Sequence, residues 1–325
     1  MNRFARATAF FILSLGTGEV AAACLVGGAQ AADFGSVGSM ALHASRQTTS
    51  THDAGIQCSG EFHQPWGASD TYFRVTLTSA NGGLEAADDL LDYQLYASAD
   101  RASATALAPG VALDLAGLGV VDALGLLQSA SGKAMPLYLM ADAGGNVAAG
   151  NYSDTVTLAW EWRYCTAGSG GGVCASYDMG SGVSSFPVNL VVQNDCTIAA
   201  ADLDFGTAAL PSEFAVARGS IEVACTKGSA YSVGLGDGRS LLAGRRNMRS
   251  VQGEMLAYDL FQGGGSVRWG SVGGQRRAST AAEVNPGNGL GIGKQVFKFS
   301  GKVYPDQAPV PAGSYVDTVL IDVAF

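Results

Sequence analysis

VDTVLIDVAF, residues 316–325, is the stretch on which the reading of the fold turns. Val319, Ile321, Val323 and Phe325 alternate with Thr318, Leu320, Asp322 and Ala324, the period-two pattern of a strand with one face on a core. The sequence closes on this strand with no turn and no returning partner. A strand of this kind leaves an unpaired edge that templates pairing with another chain, and natural proteins usually blunt such an edge. Nothing in the ten residues does so, and the expectation is an open groove that a second polypeptide fills.

The 325 residues are enough for two domains of ordinary size, and 45 glycines with only 14% charged residues point to an all-β chain rich in turns. Residues 1–23 carry Arg3 and Arg6, an apolar run and a small-residue end at Ala21-Ala22-Ala23, which read as a secretory signal peptide. Its apolar part is too short to span a membrane. Ala29-Gln30-Ala31 is a second place to cut, but the cut before Cys24 is preferred because that cysteine has a counterpart further on. Lipid modification of Cys24 is disfavoured by the alanines before it. Removing the leader takes Arg3, Arg6 and Glu19 and leaves 17 basic against 27 acidic residues, an excess that argues against a nucleic-acid partner.

Six cysteines in an exported chain read as three disulfides. The simplest pairing is consecutive: Cys24 with Cys58, Cys165 with Cys174, Cys196 with Cys225. Each of the two longer loops is worth roughly 3 to 4 kcal/mol on the chain-entropy account. The competing reading, a metal site, lacks any C-x-x-C or Cys/His cluster, so no metal or cofactor is expected.

One series of motifs occurs twice. Cys24 leads to Asp33-Phe34-Gly35, and Cys196 to Asp204-Phe205-Gly206. Cys58-Ser59-Gly60 answers to Cys225-Thr226-Lys227-Gly228, and Leu91-Asp92-Tyr93-Gln94-Leu95-Tyr96 to Leu256-Ala257-Tyr258-Asp259-Leu260-Phe261. Gly150-Asn151-Tyr152-Ser153-Asp154-Thr155-Val156 answers to Gly313-Ser314-Tyr315-Val316-Asp317-Thr318-Val319. Short strands between Gly, Asn, Asp and Ser turns suit sandwiches. The fold expected is therefore all-β, two immunoglobulin-like β-sandwich domains in tandem, at residues 24–193 and 194–325. Between Leu113 and Leu127, Gly117, Gly119 and Gly125 count against a regular helix. The Gly-x-Gly run within residues 285–293 is followed by no strand-to-helix pattern and reads as a turn cluster, not a nucleotide loop.

The halves part after the last shared strand. In the first, the strand continues through Val156, Leu158, Trp160 and Trp162 to Cys165, turns at a Gly-rich hairpin, and returns with Phe186, Val188, Leu190 and Val192 alternating. In the second nothing returns, so the C-terminal domain is expected to lack its final strand.

The repeated series, with Arg245-Arg246-Asn247-Met248 and Arg268-Trp269-Gly270 in the second half, resembles the spore coat protein U domain family, which includes subunits of archaic, Csu-type chaperone–usher pili. The likeness is strong from about residue 196 to 325 and looser from about 24 to 192, where the Arg-Arg-Asn-Met and Trp-Gly pieces are missing. Two such domains in tandem resemble the tip adhesins of these pili. The resemblance implies a periplasmic chaperone, an outer-membrane usher and an adjacent pilin subunit that donates a strand across Val319, Ile321, Val323 and Phe325. With the cut before Cys24 no segment precedes the first cysteine, so this subunit is expected to accept a strand but not donate one, which places it at the end of a fibre on the cell surface.

Enzyme chemistry finds no foothold, because His43, His52 and His63 stand in no metal or nucleophile motif and the acidic residues are scattered in turns. If the N-terminal domain is the exposed tip, its loops carry the contact surface. The candidates are Leu118, Val120, Val121, Leu124 and Leu126 in an apolar run where a polar turn is expected, with Phe62 and Trp66 in a second loop. The resemblance implies a grip on an abiotic hydrophobic surface or a host receptor, and so biofilm formation. The alternatives are a sugar-binding tip lectin, in which Trp66 or Tyr72 stacks on a sugar, and a secreted coat or matrix component.

Overall fold

A computed structural model of the chain describes residues 23–59, 71–124, 126, 132–169 and 173–325. The expected signal peptide as far as residue 22, Phe62 and Trp66, and residues 170–172 of the expected Gly-rich hairpin lie outside the described residues.

Two separate sets of sheets form, each around its own core. In the first half one sheet runs in the order Ala112–Asp114, Tyr72–Ser79, Gly150–Ser169, Val173–Gln193, Ala32–Gly38. Against it lie a four-stranded sheet that includes Leu137–Ala141 and a three-stranded one that includes Ile56–Ser59. The long strand Gly150–Ser169 buries Tyr152, Asp154, Val156, Leu158, Trp160, Trp162 and Tyr164 in strict alternation, as a period-two strand facing a core must. In the second half a six-stranded sheet running from Cys196–Ala200 to Leu241–Leu242 faces a three-stranded one ordered Arg277–Ala278, Ser232–Leu235, Ile321–Ala324. These are tandem immunoglobulin-like sandwiches.

All three consecutive disulfides form. Cys24 stands opposite Cys58, and Cys196 opposite Cys225, on paired neighbouring strands with Cα atoms 4.0 and 4.1 Å apart. The repeated Asp-Phe-Gly also has one structure. Asp33 Oδ1 accepts the Gly35 amide at 2.7 Å and Asp204 Oδ1 the Gly206 amide at 2.8 Å, with the glycines at φ +76° and +75°. That left-handed turn is what makes glycine necessary there.

A short helix, Val120–Leu124, forms where the glycines argued against a regular one. It is only five residues long, held by its apolar side on the core and not by propensity.

Motifs found only in the second half explain how that domain is braced. Arg246 is fully buried and gives Nη1 to Asp259 at 2.6 Å, Nε to the Gly236 carbonyl at 2.8 Å, and Nη2 to the Leu235 and Trp269 carbonyls at 2.9 and 2.8 Å. Burial pulls this guanidinium below its ordinary pKa, and the neighbouring Arg268 adds to the effect. Asp259, equally buried, also accepts Arg268 Nε at 2.9 Å and the Tyr304 hydroxyl at 3.2 Å. One side chain thereby ties the strand Arg245–Arg249 to the end of Ser232–Leu235 on the facing sheet.

The Cys225-Thr226-Lys227 motif reaches the first half. Thr226 Oγ1 and Ser39 Oγ are hydrogen-bonded at 2.6 Å in a buried position, Lys227 pairs with Asp89, and Asn146 Nδ2 bonds the Leu290 carbonyl at 3.2 Å.

Removing one partner of a buried ion pair strands the other, a loss of about 3–5 kcal/mol. Asp259→Ala is therefore expected to lower the stability of the C-terminal domain by that amount in urea unfolding. Arg245→Ala, whose partner Asp306 is exposed, is expected to cost less than about 1 kcal/mol.

Candidate functional site

A cleft of about 840 Å3 opens in the C-terminal domain. One wall is residues 200–207 and the other residues 313–319 with Ile321; Ile221, Leu235, Met248, Leu256, Leu260 and Phe299 line it between the walls. The floor is apolar because it is the core of the sandwich seen from its open side. Leu203, Phe205, Tyr315, Val319 and Ile321 pack against that core and remain half-exposed.

The walls are the two repeat segments already met: Asp204-Phe205-Gly206 on one side and Gly313 to Val319 on the other. In the N-terminal domain their counterparts, Ala32–Gly38 and the start of Gly150–Ser169, are not empty between. The strand Val173–Gln193 lies there, antiparallel to one with Val156 opposite Phe186, Asp154 opposite Val188, Tyr152 opposite Leu190 and Gly150 opposite Val192. It runs parallel to the other, with an irregularity between Asn189 and Val191 where Phe34 and Gly35 bulge. Phe186, Val188, Leu190 and Val192 are all buried.

Burial records the difference directly. Tyr152, Asp154 and Val156 are 1%, 2% and 0% exposed, whereas Tyr315, Asp317 and Val319 at the same repeat positions are half-buried. Segment 201–207 forms no strand, while its counterpart does, because a strand needs a neighbour for its backbone bonds.

The wall at 313–319 is nonetheless held in place from the core side. Tyr258 donates its hydroxyl to Asp317 Oδ2 at 2.7 Å, and the Arg239 and Thr318 amides donate to Asp317 Oδ1, each at 2.8 Å. Arg249 and Val316 exchange backbone bonds of 2.8 and 3.1 Å. Burial pushes the Tyr258 phenol well above its ordinary pKa, and Asp317 pushes it further, so it stays a donor. Tyr93 and Asp154 form the same pair at 2.6 Å in the first domain. The Asp and Tyr positions were visible in the repeated motifs, but their meeting was not.

Of the four residues expected to face a donated strand, Val319 and Ile321 line the cleft. Val323 packs half-buried on the core, and Phe325 is exposed beyond the last paired residue, Ala324. The strand itself is Ile321–Ala324, shorter than the ten-residue alternation suggested, because residues 313–320 find a ladder partner on neither side apart from the Val316 bridge.

The expected contact loop needs correction. Val120, Val121 and Leu126 are 6%, 1% and 1% exposed and belong to the N-terminal core, with Leu124 packed half-buried against it. Leu118 alone of the five is exposed. The backbone turns at Gly119, φ +68°, and the apolar side chains after it roll inward, where burial is worth about 1.5–3 kcal/mol each. Val111, unremarked in the sequence, is exposed nearby in chain order.

Among the described residues no group of His, Cys, Asp and Glu is placed to hold a metal, and no helix is long and apolar enough to cross a membrane.

A family model described as the Spore Coat Protein U domain matches residues 10–159 and again residues 183–322. Comparison with curated proteins finds no significant match. Among solved structures, a chain of the CsuC–CsuE chaperone–tip adhesion subunit pre-assembly complex, from archaic chaperone–usher Csu pili of Acinetobacter baumannii, aligns with a TM-score of 0.62 at 24% identity, over 93% of this chain and 100% of that one. A chaperone–tip adhesin complex of CFA/I fimbriae covers 95% of this chain and 86% of that one at 11% identity, but with a TM-score of 0.28, too low to bear on the fold.

The inward turn of the apolar run is checked by two substitutions. Leu126→Ala is expected to destabilise the N-terminal domain by about 2–5 kcal/mol, and Leu118→Ala by less than about 0.5 kcal/mol, read from denaturant midpoints at unchanged slope.

Proposed function

The chain belongs to the spore coat protein U domain family, matched twice along its length, and from that premise and the open cleft we propose that it is the tip adhesin of a chaperone–usher pilus. Its C-terminal domain accepts an extended segment of a neighbouring subunit into the cleft, and a periplasmic chaperone covers the same cleft before assembly at an outer-membrane usher. The N-terminal domain then stands at the end of the fibre on the cell surface and makes the contact that begins attachment and biofilm growth.

One observation carries this reading. The cleft lies between the same two repeat segments that the N-terminal domain fills with its own strand Val173–Gln193. That strand serves as a template for the incoming one. A donated segment would run antiparallel to residues 313–319, with alternate apolar side chains over Val319, Asp317, Tyr315 and Gly313 where Phe186, Val188, Leu190 and Val192 stand in the first domain. Backbone bonds to a bare edge supply affinity and the alternate side chains supply selectivity. The assembly described for the Csu structure, a chaperone with a tip adhesion subunit, supports the class of partner.

On the adhesive side, the loops of the N-terminal sandwich remain the place for the contact. Exposed Leu118 and Val111, together with Phe62 and Trp66, are the candidates for an apolar material or a host receptor; Val120, Val121 and Leu126 are core residues.

The test is to complete the domain within one chain. After Phe325, a short turn and a copy of residues 180–193 would return along the C-terminal strand in the register that pairs Trp162 with Gly180 and Val156 with Phe186. Covering the apolar floor and pairing the bare backbone edge is expected to raise the thermal midpoint of the C-terminal domain by at least about 5 °C and to abolish binding of a hydrophobic dye. An unchanged midpoint with undiminished dye binding would sink the reading.

A further inference from the structure

We propose that Tyr258 and Asp317 are positioning residues that hold residues 313–319 in strand geometry before any strand arrives; this role rests on the strand-accepting reading of the cleft. The pair is a repeated device. In the N-terminal domain Asp154 accepts Tyr93 Oη at 2.6 Å, the Asn81 amide at 3.1 Å and the Thr155 amide at 2.7 Å. In the C-terminal domain Asp317 accepts Tyr258 Oη at 2.7 Å and the Arg239 and Thr318 amides at 2.8 Å each. These three donors recur at both sites, although Asn81 and Arg239 share no side-chain chemistry; Asp154 has a fourth, Ser79 Oγ to Oδ2 at 2.5 Å, with no counterpart at Asp317.

The two settings differ in what else holds the wall. Around Asp154 the strand Val173–Gln193 pairs with the wall along its length and leaves the carboxylate 2% exposed. Around Asp317 that side is open, and the carboxylate is half-buried. An extended segment with one bare edge has nothing but its inner contacts to keep it extended, and ordering each residue otherwise opposes the docking of a partner by about 1–2 kcal/mol. The pin supplies that order in advance, which is the general benefit of preorganisation in binding.

It also removes a second obstacle. An incoming strand covers Asp317 as Val188 covers Asp154, and a carboxylate can be taken out of water only when its oxygens are already bonded. Both oxygens of Asp317 have donors before the strand comes. Gly238 makes the arrangement possible: it sits at φ +74°, and a Cβ there would stand 2.0 Å from Asp317 Oδ2.

Hydrogen exchange of the full-length mature chain tests the role without a donor. In Tyr258→Phe, the amides of Val316 and Thr318 are expected to exchange at least about tenfold faster, the lower end of the scale of losing one hydrogen bond to a charged group. The amides of Phe297 and Phe299, in the strand Gln295–Val303, are expected to keep their wild-type rates. Gly238→Ala, which displaces the carboxylate by collision, is expected to accelerate the same two amides. Tyr93→Phe, alone and combined with Ser79→Ala, which removes the other hydroxyl on Asp154 Oδ2, is expected to leave residues 152–156 slow, because a paired strand holds them. Unchanged rates at Val316 and Thr318 in Tyr258→Phe, or a rise shared equally by Phe297 and Phe299, would overturn the proposal. So would an equal acceleration of residues 152–156 in Tyr93→Phe. The two readings fail separately: an appended strand that leaves the midpoint unchanged removes the cleft's purpose, and the role with it, whereas an undisturbed wall in Tyr258→Phe removes the role alone.

Discussion

A strand that rests one face on a core has two demands to meet at once: its inward side chains need cover and its outer backbone edge needs a neighbour. In this protein the segment Gly-x-Tyr-x-Asp-Thr-Val faces those demands twice. At residues 150–156 the chain's own strand Val173–Gln193 meets both, and Tyr152, Asp154 and Val156 vanish from the surface. At residues 313–319 only the inner side is met, by Tyr258, Arg239 and Arg249. The cleft and its apolar floor follow from that single unmet demand.

A sandwich with a gap of about 840 Å3 in its side forgoes apolar burial that other domains of its size enjoy, and it has other means of standing. Arg246 and Asp259 form a fully buried ion pair between neighbouring strands of one sheet, and Arg246 reaches the facing sheet through the Leu235 and Gly236 carbonyls, with the Trp269 carbonyl taking a further donor. The disulfide Cys196–Cys225 closes the strand pair that opens the domain, limiting its unfolded ensemble. Neither the Arg-Arg-Asn-Met nor the Trp-Gly motif has a counterpart in the first domain, which carries its final strand and a larger apolar core. The brace occurs where the strand does not.

The apolar run after Leu113 illustrates how a linear pattern can mislead about exposure. Leucines and valines interrupted by glycines resemble a loop held out for contact. The glycines instead let the chain turn, and once it turns, Val120, Val121 and Leu126 face a core within reach. Side chains of that kind go where water is excluded unless the backbone prevents it. Leu118, before the turn at Gly119, has no such choice and remains outside.

Much was legible from the residues alone. Period-two alternation announced the strands because side-chain direction in a strand is a local property; the order of the cysteines announced their pairing; and the doubled motifs announced two sandwiches. The length of the C-terminal strand, the inward path of residues 120–126 and the meeting of Tyr258 with Asp317 were not legible. Each of these depends on contacts between segments far apart in the chain: Asp317 lies 59 residues from Tyr258, and no local pattern says which hydroxyl will face which carboxylate. The sequence by itself determined that one motif series builds two sandwiches and that the second lacks the pairing the first shows between its repeated segments. Only the tertiary structure decided that the walls of the cleft are already set, because hydrogen bonds from the core side hold one edge extended while leaving the other bare.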